Sequence, residues 1–200
     1  HIVRTAGVMV RGVVVIIIPL LALSADVHER FSCGLDRFGT VSAYHLDDMW
    51  ETTRSKYYEL VKAVRALQPD TTSTYFLMIS PQFFLYHDDV VDALLMAANA
   101  NGTLRLVVCD EIHLMVQQGM TFRYEIRALR DRFFRPIFHP HPSVHSISNP
   151  YFVGLSGSVP DDYIADIATL TTIPFPKGSV LRGSPDTFAQ RDIRMELSIS

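Results

Sequence analysis

The sequence predicts an α/β fold in which a mainly parallel sheet is covered by helices on both faces. Short apolar runs alternate with longer amphipathic segments along the chain, and this alternation is typical of strands joined by helical crossovers. The first run, GVVVIII at 12–18, is β-branched and has no polar alternation, as expected for a strand buried on both faces. With 200 residues, 48% of them hydrophobic, the chain is long enough for one domain with a full core.

The same reading assigns the other elements in order. Strands are expected at 12–18, 40–46, 74–80, 104–109 and 151–155, with two shorter ones near 178–182 and 193–199. Helices are expected at 20–31, 48–67, 88–100, around 123–134 and at 161–170, with a loop at 136–150. In the helix at 48–67, one apolar face is formed by Tyr57, Leu60, Val61, Val64 and Leu67. Acidic residues in the first turn and Asn101-Gly102 after the last one bound the helix at 88–100.

Composition excludes several classes of protein. The formal net charge is −3 with eight neutral histidines, so any nucleic-acid contact has to come from a local basic patch. The run VVVIIIPLLAL at 13–23 is too short to span a bilayer and is divided by Pro19, so no membrane partner is expected. Cys33 and Cys109 do not indicate a disulfide framework, which fits a reducing compartment.

Two adjacent carboxylates, Asp110 and Glu111, end the strand at 104–109, and His113 follows. In parallel sheets, ligands bind beyond the carboxyl ends of the strands. In a nucleotide hydrolase, one carboxylate at this position holds Mg²⁺ and the next orients the attacking water. The alternative is a helix N-terminus with acidic residues in its first turn. These four residues alone leave both interpretations open.

The residues that follow make the stretch more specific. Gly119, Phe122 and Arg123 come after the D-E-x-H sequence in LMVQQGMTFRYE. This stretch resembles the RecQ family of DNA helicases, whose corresponding aromatic-rich loop ends in W-G-x-x-F-R. Gln118 stands where that family has tryptophan.

Four further segments resemble the same family in the same order. They are IPLLALSADV at 18–27 (S-P-L-x-x-L-x-x-D), ISPQFF at 79–84 (A-P-E-R-L), GLSGSVPDDYIADI at 154–167 (L-T-A-T-A and its helix) and FAQRDIRMELSI at 188–199 (F-x-R-x-N-L). The chain departs from the family at Ile18, Ala25 and Gln82. The resemblance covers essentially the whole chain.

The resemblance implies a superfamily 2 motor built from two RecA-like domains, with ATP between them and single-stranded DNA across their top surface. The chain is similar to the first domain, a RecA-like three-layer sandwich at 1–185, with 186–200 starting the connection to a second RecA-like domain. No G-x-x-x-x-G-K-[ST] loop occurs in the sequence. That loop is expected just upstream of His1, and this isolated stretch is expected to be inactive.

The resemblance also implies the site residues. The expected cofactors are ATP and Mg²⁺, with Asp110 holding the metal through water and Glu111 orienting the attacking water. Ser156 and Ser158 are expected to sense the bound nucleotide and, with His113 and Arg123, to couple its hydrolysis to DNA. The expected DNA contacts are Phe122, Arg123, Pro19, Leu20, Ser80 and Pro81. The implied partners are single-stranded and duplex DNA and the second RecA-like domain. A nuclear location follows from the family alone.

Two other functions remain open. A degenerate, non-catalytic helicase-like module that binds nucleic acid or protein is favoured by Gln118, Gln82, Ala25 and the sequence Ser-Gly-Ser at 156–158. The retained D-E-x-H favours the motor. An RNA helicase of the same superfamily is the other possibility, and the Phe-Arg pair argues against it.

Three smaller features have structural interpretations. His139, His141 and His145 lie in a proline-rich loop without acidic or cysteine ligands at suitable spacing, so a metal site is not favoured. Trp50, Tyr57 and Tyr58 have the spacing of core and boundary residues. Ser156 and Ser158 lack the surroundings of a catalytic nucleophile.

Three arginines in the following helix have two interpretations. Arg123, Arg127 and Arg130 share one helix face, which fits either a phosphate-contacting patch or a solvated surface. For Arg123 the coincidence with the family's motif favours function. For the other two the solvated surface is favoured.

Overall fold

The fold was taken from a computed structural model, which describes residues 11–19, 28–29, 32, 40–119, 124–142, 149–157, 159–176 and 178–182. Within these ranges the strands are β1 (Gly12–Ile17), β2 (Val41–His45), β3 (Thr74–Ile79), β4 (Leu104–Cys109) and β5 (Tyr151–Gly154). They form one sheet in the order β2-β3-β1-β4-β5, and every neighbouring pair is parallel. The predicted α/β class is confirmed, and the sheet is consistent with a RecA-like fold.

Helices connect these strands. They are α1 (Leu46–Thr52), α2 (Arg54–Ala66), α3 (Phe83–Tyr86), α4 (Asp88–Leu95), α5 (Ile112–Gly119), α6 (Tyr124–Leu129), α7 (Arg135–Phe138) and α8 (Tyr163–Thr171). Two π-helical turns extend this set: Met96–Ala100 follows α4, and Arg130–Phe134 joins α6 to α7. No helix in the described part of the chain is long and apolar enough to cross a membrane.

Both faces of the sheet are buried, because successive side chains of a strand point to opposite sides. On β1, Val13, Val15 and Ile17 face a large apolar cluster that includes side chains from all eight helices. Val14 and Ile16 face a second cluster with Phe76 of β3. All five β1 side chains are at most 4% exposed. The sheet therefore holds the carboxyl ends of its strands on a rigid base.

The predicted helix at 48–67 is two helices. Thr53 interrupts it with φ −142° and ψ 60°, although its N–H still donates to Met49 O at 2.9 Å. Tyr57 and Val61 are buried, as the apolar spacing predicted, and Leu67 is partly buried at the end of α2. The spacing runs through Thr53 without a Gly or Pro, so the sequence pattern does not mark the break.

Other boundaries also differ from prediction. The loop expected at 136–150 begins with a helical turn instead, because α7, with Pro136 as its second residue, continues the helical run of the preceding π-helical turn. No strand forms at 178–182. The predicted helix at 20–31, apart from His28 and Glu29, and the predicted strand at 193–199 lie outside the described residues, as does the proposed connection at 186–200.

Candidate functional site

The carboxyl ends of β4 and β5 are tied together by backbone hydrogen bonds. Leu155 N–H donates to Cys109 O at 2.8 Å, and Ile112 N–H donates to Leu155 O at 2.9 Å. Asp110 N–H donates to Ile17 O of the central strand β1 at 3.0 Å. The segment that contains the two carboxylates is therefore fixed to the strand ends on both of its sides.

Gly154 allows β5 to approach this segment closely. A Cβ atom at Gly154 would lie 2.9 Å from Ile112 Cδ1 and 3.3 Å from Ile112 Cγ2, closer than the usual van der Waals distance. Since Ile112 begins α5 and Ser156 follows β5 by two residues, this close contact brings Ser156 beside His113.

His113 connects the two strand ends through one ring nitrogen. Its Nδ1 lies 2.7 Å from Ser156 Oγ, a hydrogen-bond distance, and 3.2 Å from Glu111 Oε2. The second contact is electrostatic only, since Glu111 Oε2 is a buried atom without a hydrogen-bond partner among the described residues. With a hydrogen on Nδ1, the ring N–H donates to Ser156 Oγ, and its positive end attracts the Glu111 carboxylate. The predicted group of Glu111, His113 and Ser156 does come together.

The backbone of Glu111 is strained. Its φ is 44°, in the left-handed region that non-glycine residues rarely adopt. Its N–H donates to Asp110 Oδ1 at 3.0 Å, and its carbonyl accepts from Leu114 N–H at 2.8 Å. Strained residues concentrate at active sites and ligand clamps. The turn therefore holds the Glu111 carboxylate in one direction, at the boundary between β4 and α5.

Asp110 is half-buried, and burial raises the pKa of its carboxyl above the ordinary value, with the nearby Glu111 carboxylate acting in the same direction. The Glu111 N–H partly offsets both effects. A cation beside Asp110 would lower that pKa again. The described residues contain no group of three His, Cys, Asp or Glu that could enclose a metal. Mg²⁺ bound with a nucleotide needs only one or two carboxylates, so Asp110 and Glu111 fit it.

The Ser156–His113 pair does not form a hydrolase triad. In such a triad the serine and the carboxylate contact opposite nitrogens of the imidazole, whereas Ser156 and Glu111 both contact Nδ1 of His113. Cys109 is no candidate nucleophile either, because it is fully buried and burial raises its pKa well above the ordinary value. This geometry fits a side chain that couples the positions of the two strand ends better than it fits a nucleophile.

Asp47 is a residue that the sequence did not point to. Its Oδ1 accepts a hydrogen bond from Ser80 Oγ at 2.5 Å, and its Oδ2 accepts one from Ser80 N–H at 3.0 Å. Ser80 Oγ in turn accepts from Phe83 N–H at 3.2 Å. These bonds join α1 to the end of β3 and the start of α3. The available signal was an acidic residue at the start of a helix. The sequence did not show that the end of β3 lies beside it.

Ser80 and Pro81, two of the predicted DNA contacts, are both buried. The Ser80 hydroxyl is engaged with Asp47, so in this structure Ser80 shapes the segment between β3 and α3. Pro19 is partly buried just beyond the end of β1. Contact of these three residues with DNA stays a prediction. The other predicted residues, Leu20, Phe122, Arg123 and Ser158, lie outside the described residues.

The remaining candidates have structural surroundings. His139 Nε2 contacts the carbonyl oxygen of Thr172, and His145 lies outside the described residues. Tyr57 is fully buried and donates to Asp89 Oδ1 at 2.9 Å. Trp50 packs against the same core, while Tyr58 is 54% exposed, so the predicted core and boundary roles fit.

Comparisons with known proteins add no family assignment. No protein-family model matches the chain, and no curated protein sequence matches it. The fold, the resemblance of its motifs and the geometry at the carboxyl edge of the sheet are therefore the grounds for a function.

Proposed function

We propose that the chain is the first RecA-like domain of a RecQ-like DNA helicase, in which ATP hydrolysis drives 3′-to-5′ movement along single-stranded DNA. The observation that carries the proposal is the contact of one nitrogen of His113 with both Ser156 Oγ, at 2.7 Å, and Glu111 Oε2, at 3.2 Å. It links the residue proposed to orient water with the end of the neighbouring strand. A helicase needs such a link, because hydrolysis has to be coupled to movement.

Each residue has a separate role in this proposal. Glu111 orients the water that attacks the terminal phosphate, and its buried Oε2 has an unused hydrogen-bonding capacity among the described residues. Asp110 would hold Mg²⁺ through water, and that ion would neutralise charge on the phosphates. His113 restrains Glu111 and couples the position of the Glu111 side chain to Ser156 through the hydrogen bond on Nδ1. The DNA and the second RecA-like domain are the proposed partners.

The test is ATP hydrolysis by the product of the full reading frame that contains this chain, with and without single-stranded DNA. Glu111→Gln keeps the size of the side chain but removes its charge, and loss of a general base typically lowers the rate by about 10²–10⁴-fold. We therefore expect DNA-stimulated hydrolysis in the wild-type protein and its near-complete loss in the variant. Glu59→Gln is the matched control, because Glu59 is exposed on α2.

Two results would contradict the proposal. Hydrolysis that survives Glu111→Gln would remove Glu111 from the site. DNA binding without any hydrolysis by the wild-type product would instead support the non-catalytic module, in which the carboxylates at the end of β4 have only a structural role.

A further inference from the structure

The second π-helical turn aligns three arginines on one helical segment. Arg135 N–H donates to Arg130 O, so residues five apart lie one turn apart here. In an α-helix the same two residues would point about 140° away from each other. Arg127 precedes Arg130 by three residues and is its neighbour on the helix surface. We name Arg127, Arg130 and Arg135 the arginine ridge.

The ridge is open to solvent and carries excess positive charge. Arg127 and Arg135 are exposed, and the side chain of Arg130 is 40% exposed. The facing carboxylate is Asp131, which accepts hydrogen bonds from Arg130 Nε at 2.9 Å and Nη2 at 3.3 Å. Glu125, in the first turn of α6, is partly buried. Three guanidinium groups beside one exposed carboxylate leave two positive charges in excess.

The segment is anchored rather than loose. Arg132 points inward and donates to the carbonyl oxygens of Phe84, at 2.9 Å, and Leu85, at 2.7 Å, and it also contacts the Asp88 carboxylate. Phe133 and Phe134 of the same turn are fully buried, and the ring of Phe133 packs against that of Phe84. These contacts fix the ridge on the molecule, which lowers the entropic cost of binding a ligand there.

An aromatic side chain lies at one end of the ridge. Tyr124 precedes Arg127 by three residues and is 70% exposed, whereas tyrosines are on average buried to an intermediate degree. The helix α6 that carries Tyr124 packs against α3, which follows Ser80 and Pro81. The ridge therefore begins beside the carboxyl edge of the sheet.

We propose that Tyr124 and the arginine ridge bind single-stranded nucleic acid, with the guanidinium groups on successive phosphates and the tyrosine ring stacked on a base. A row of cations next to an exposed aromatic ring fits such a strand, because every phosphate is anionic and every base has a face to stack. The inference rests on the proposed function only for the class of partner. It assigns the strand a surface beyond the predicted contacts at the carboxyl edge.

The test is the anisotropy of a fluorescently labelled oligothymidylate titrated with the chain at several salt concentrations, without nucleotide. The double substitution Arg127→Gln and Arg135→Gln should weaken binding about tenfold at low salt. It should also make the slope of log affinity against log salt shallower by about 1.4, or 0.7 for each lost phosphate contact. The matched control is Lys56→Gln with Lys62→Gln, two exposed cations on α2, which should change neither value.

Two further variants distinguish a strand-binding surface from a general attraction of anions. Asp131→Asn removes the negative charge within the ridge and should tighten binding about threefold. Tyr124→Ala should weaken binding of the oligothymidylate about tenfold through lost stacking, while binding of poly-glutamate should not change. Circular dichroism melts of all variants should match the wild-type melt, because these side chains are at the surface.

Several results would overturn the inference. An absence of wild-type binding at low salt would do so, as would equal effects of the ridge and control pairs. Weaker binding by Asp131→Asn would also contradict it. Displacement of the oligothymidylate by poly-glutamate at equal charge would indicate an acidic protein partner instead. None of them bears on ATP hydrolysis, which is measured separately with Glu111→Gln. Ridge binding by a wild-type product that hydrolyses no ATP would reject the motor and keep the surface.

Discussion

Glu111 has the most unusual backbone in the candidate site. The sequence placed it after a buried strand, and the D-E-x-H spacing indicated its chemistry. Its left-handed φ of 44° was not predictable, because no glycine or asparagine marks the turn. A glutamate that keeps this conformation despite its cost suggests that the carboxylate is held there for a purpose.

The strain at Glu111 gives a prediction about stability. Glu111→Gly and Glu111→Ala both remove the carboxylate and its contact with His113, but only glycine adopts a positive φ without steric cost. We expect the glycine variant to have a free energy of unfolding about 1 kcal/mol higher than the alanine variant. Urea denaturation of the two variants measures this difference. An alanine variant as stable as the glycine variant, or more stable, would show that the turn relaxes.

At the scale of elements, the joint between α1, β3 and α3 depends on Asp47. The sequence predicted the strands before and after Asp47, β2 and β3, as it predicted β1 and β4, whose β-branched runs mark buried strands most clearly. It did not predict that β2 and β3 are neighbours, since strand order is set by long-range packing. The short helix α3 and the two π-helical turns were missed for a similar reason. Burial of residues such as Phe133 and Phe134 determines where they form, and the spacing of apolar residues along the sequence does not show it.

We expect Asp47→Ala to lower the free energy of unfolding by about 2 kcal/mol, because the buried hydroxyl and N–H of Ser80 lose a charged acceptor. Asp48→Ala is the matched control. Asp48 lies in the same first turn of α1 and is exposed, so its loss should cost about 0.5 kcal/mol or less. Equal losses in urea denaturation would mean that the Asp47–Ser80 bonds add nothing beyond the helix dipole.

At the scale of the whole molecule, the parallel sheet brings distant parts of the sequence to one edge. Asp110 and Ser156 are far apart along the chain, yet backbone bonds between β4 and β5 place Ser156 on His113. The alternation of strands and helices predicted the edge, and the resemblance predicted which residues would meet there. It could not place Ser80 in a buried network, because the partner, Asp47, follows β2, and the pairing of β2 with β3 was not predictable.

The central claim is that His113 couples the site at Glu111 to the end of β5. The most direct test is the ratio of ATP hydrolysis with and without single-stranded DNA, measured on the full reading-frame product and on its Ser156→Ala variant. Ser156→Ala removes the hydroxyl that bonds to His113 Nδ1 but leaves both carboxylates in place. We predict a wild-type ratio well above one and a ratio at least about tenfold lower in the variant. An unchanged ratio in the variant would contradict the coupling, and a wild-type product that hydrolyses no ATP would contradict the motor itself.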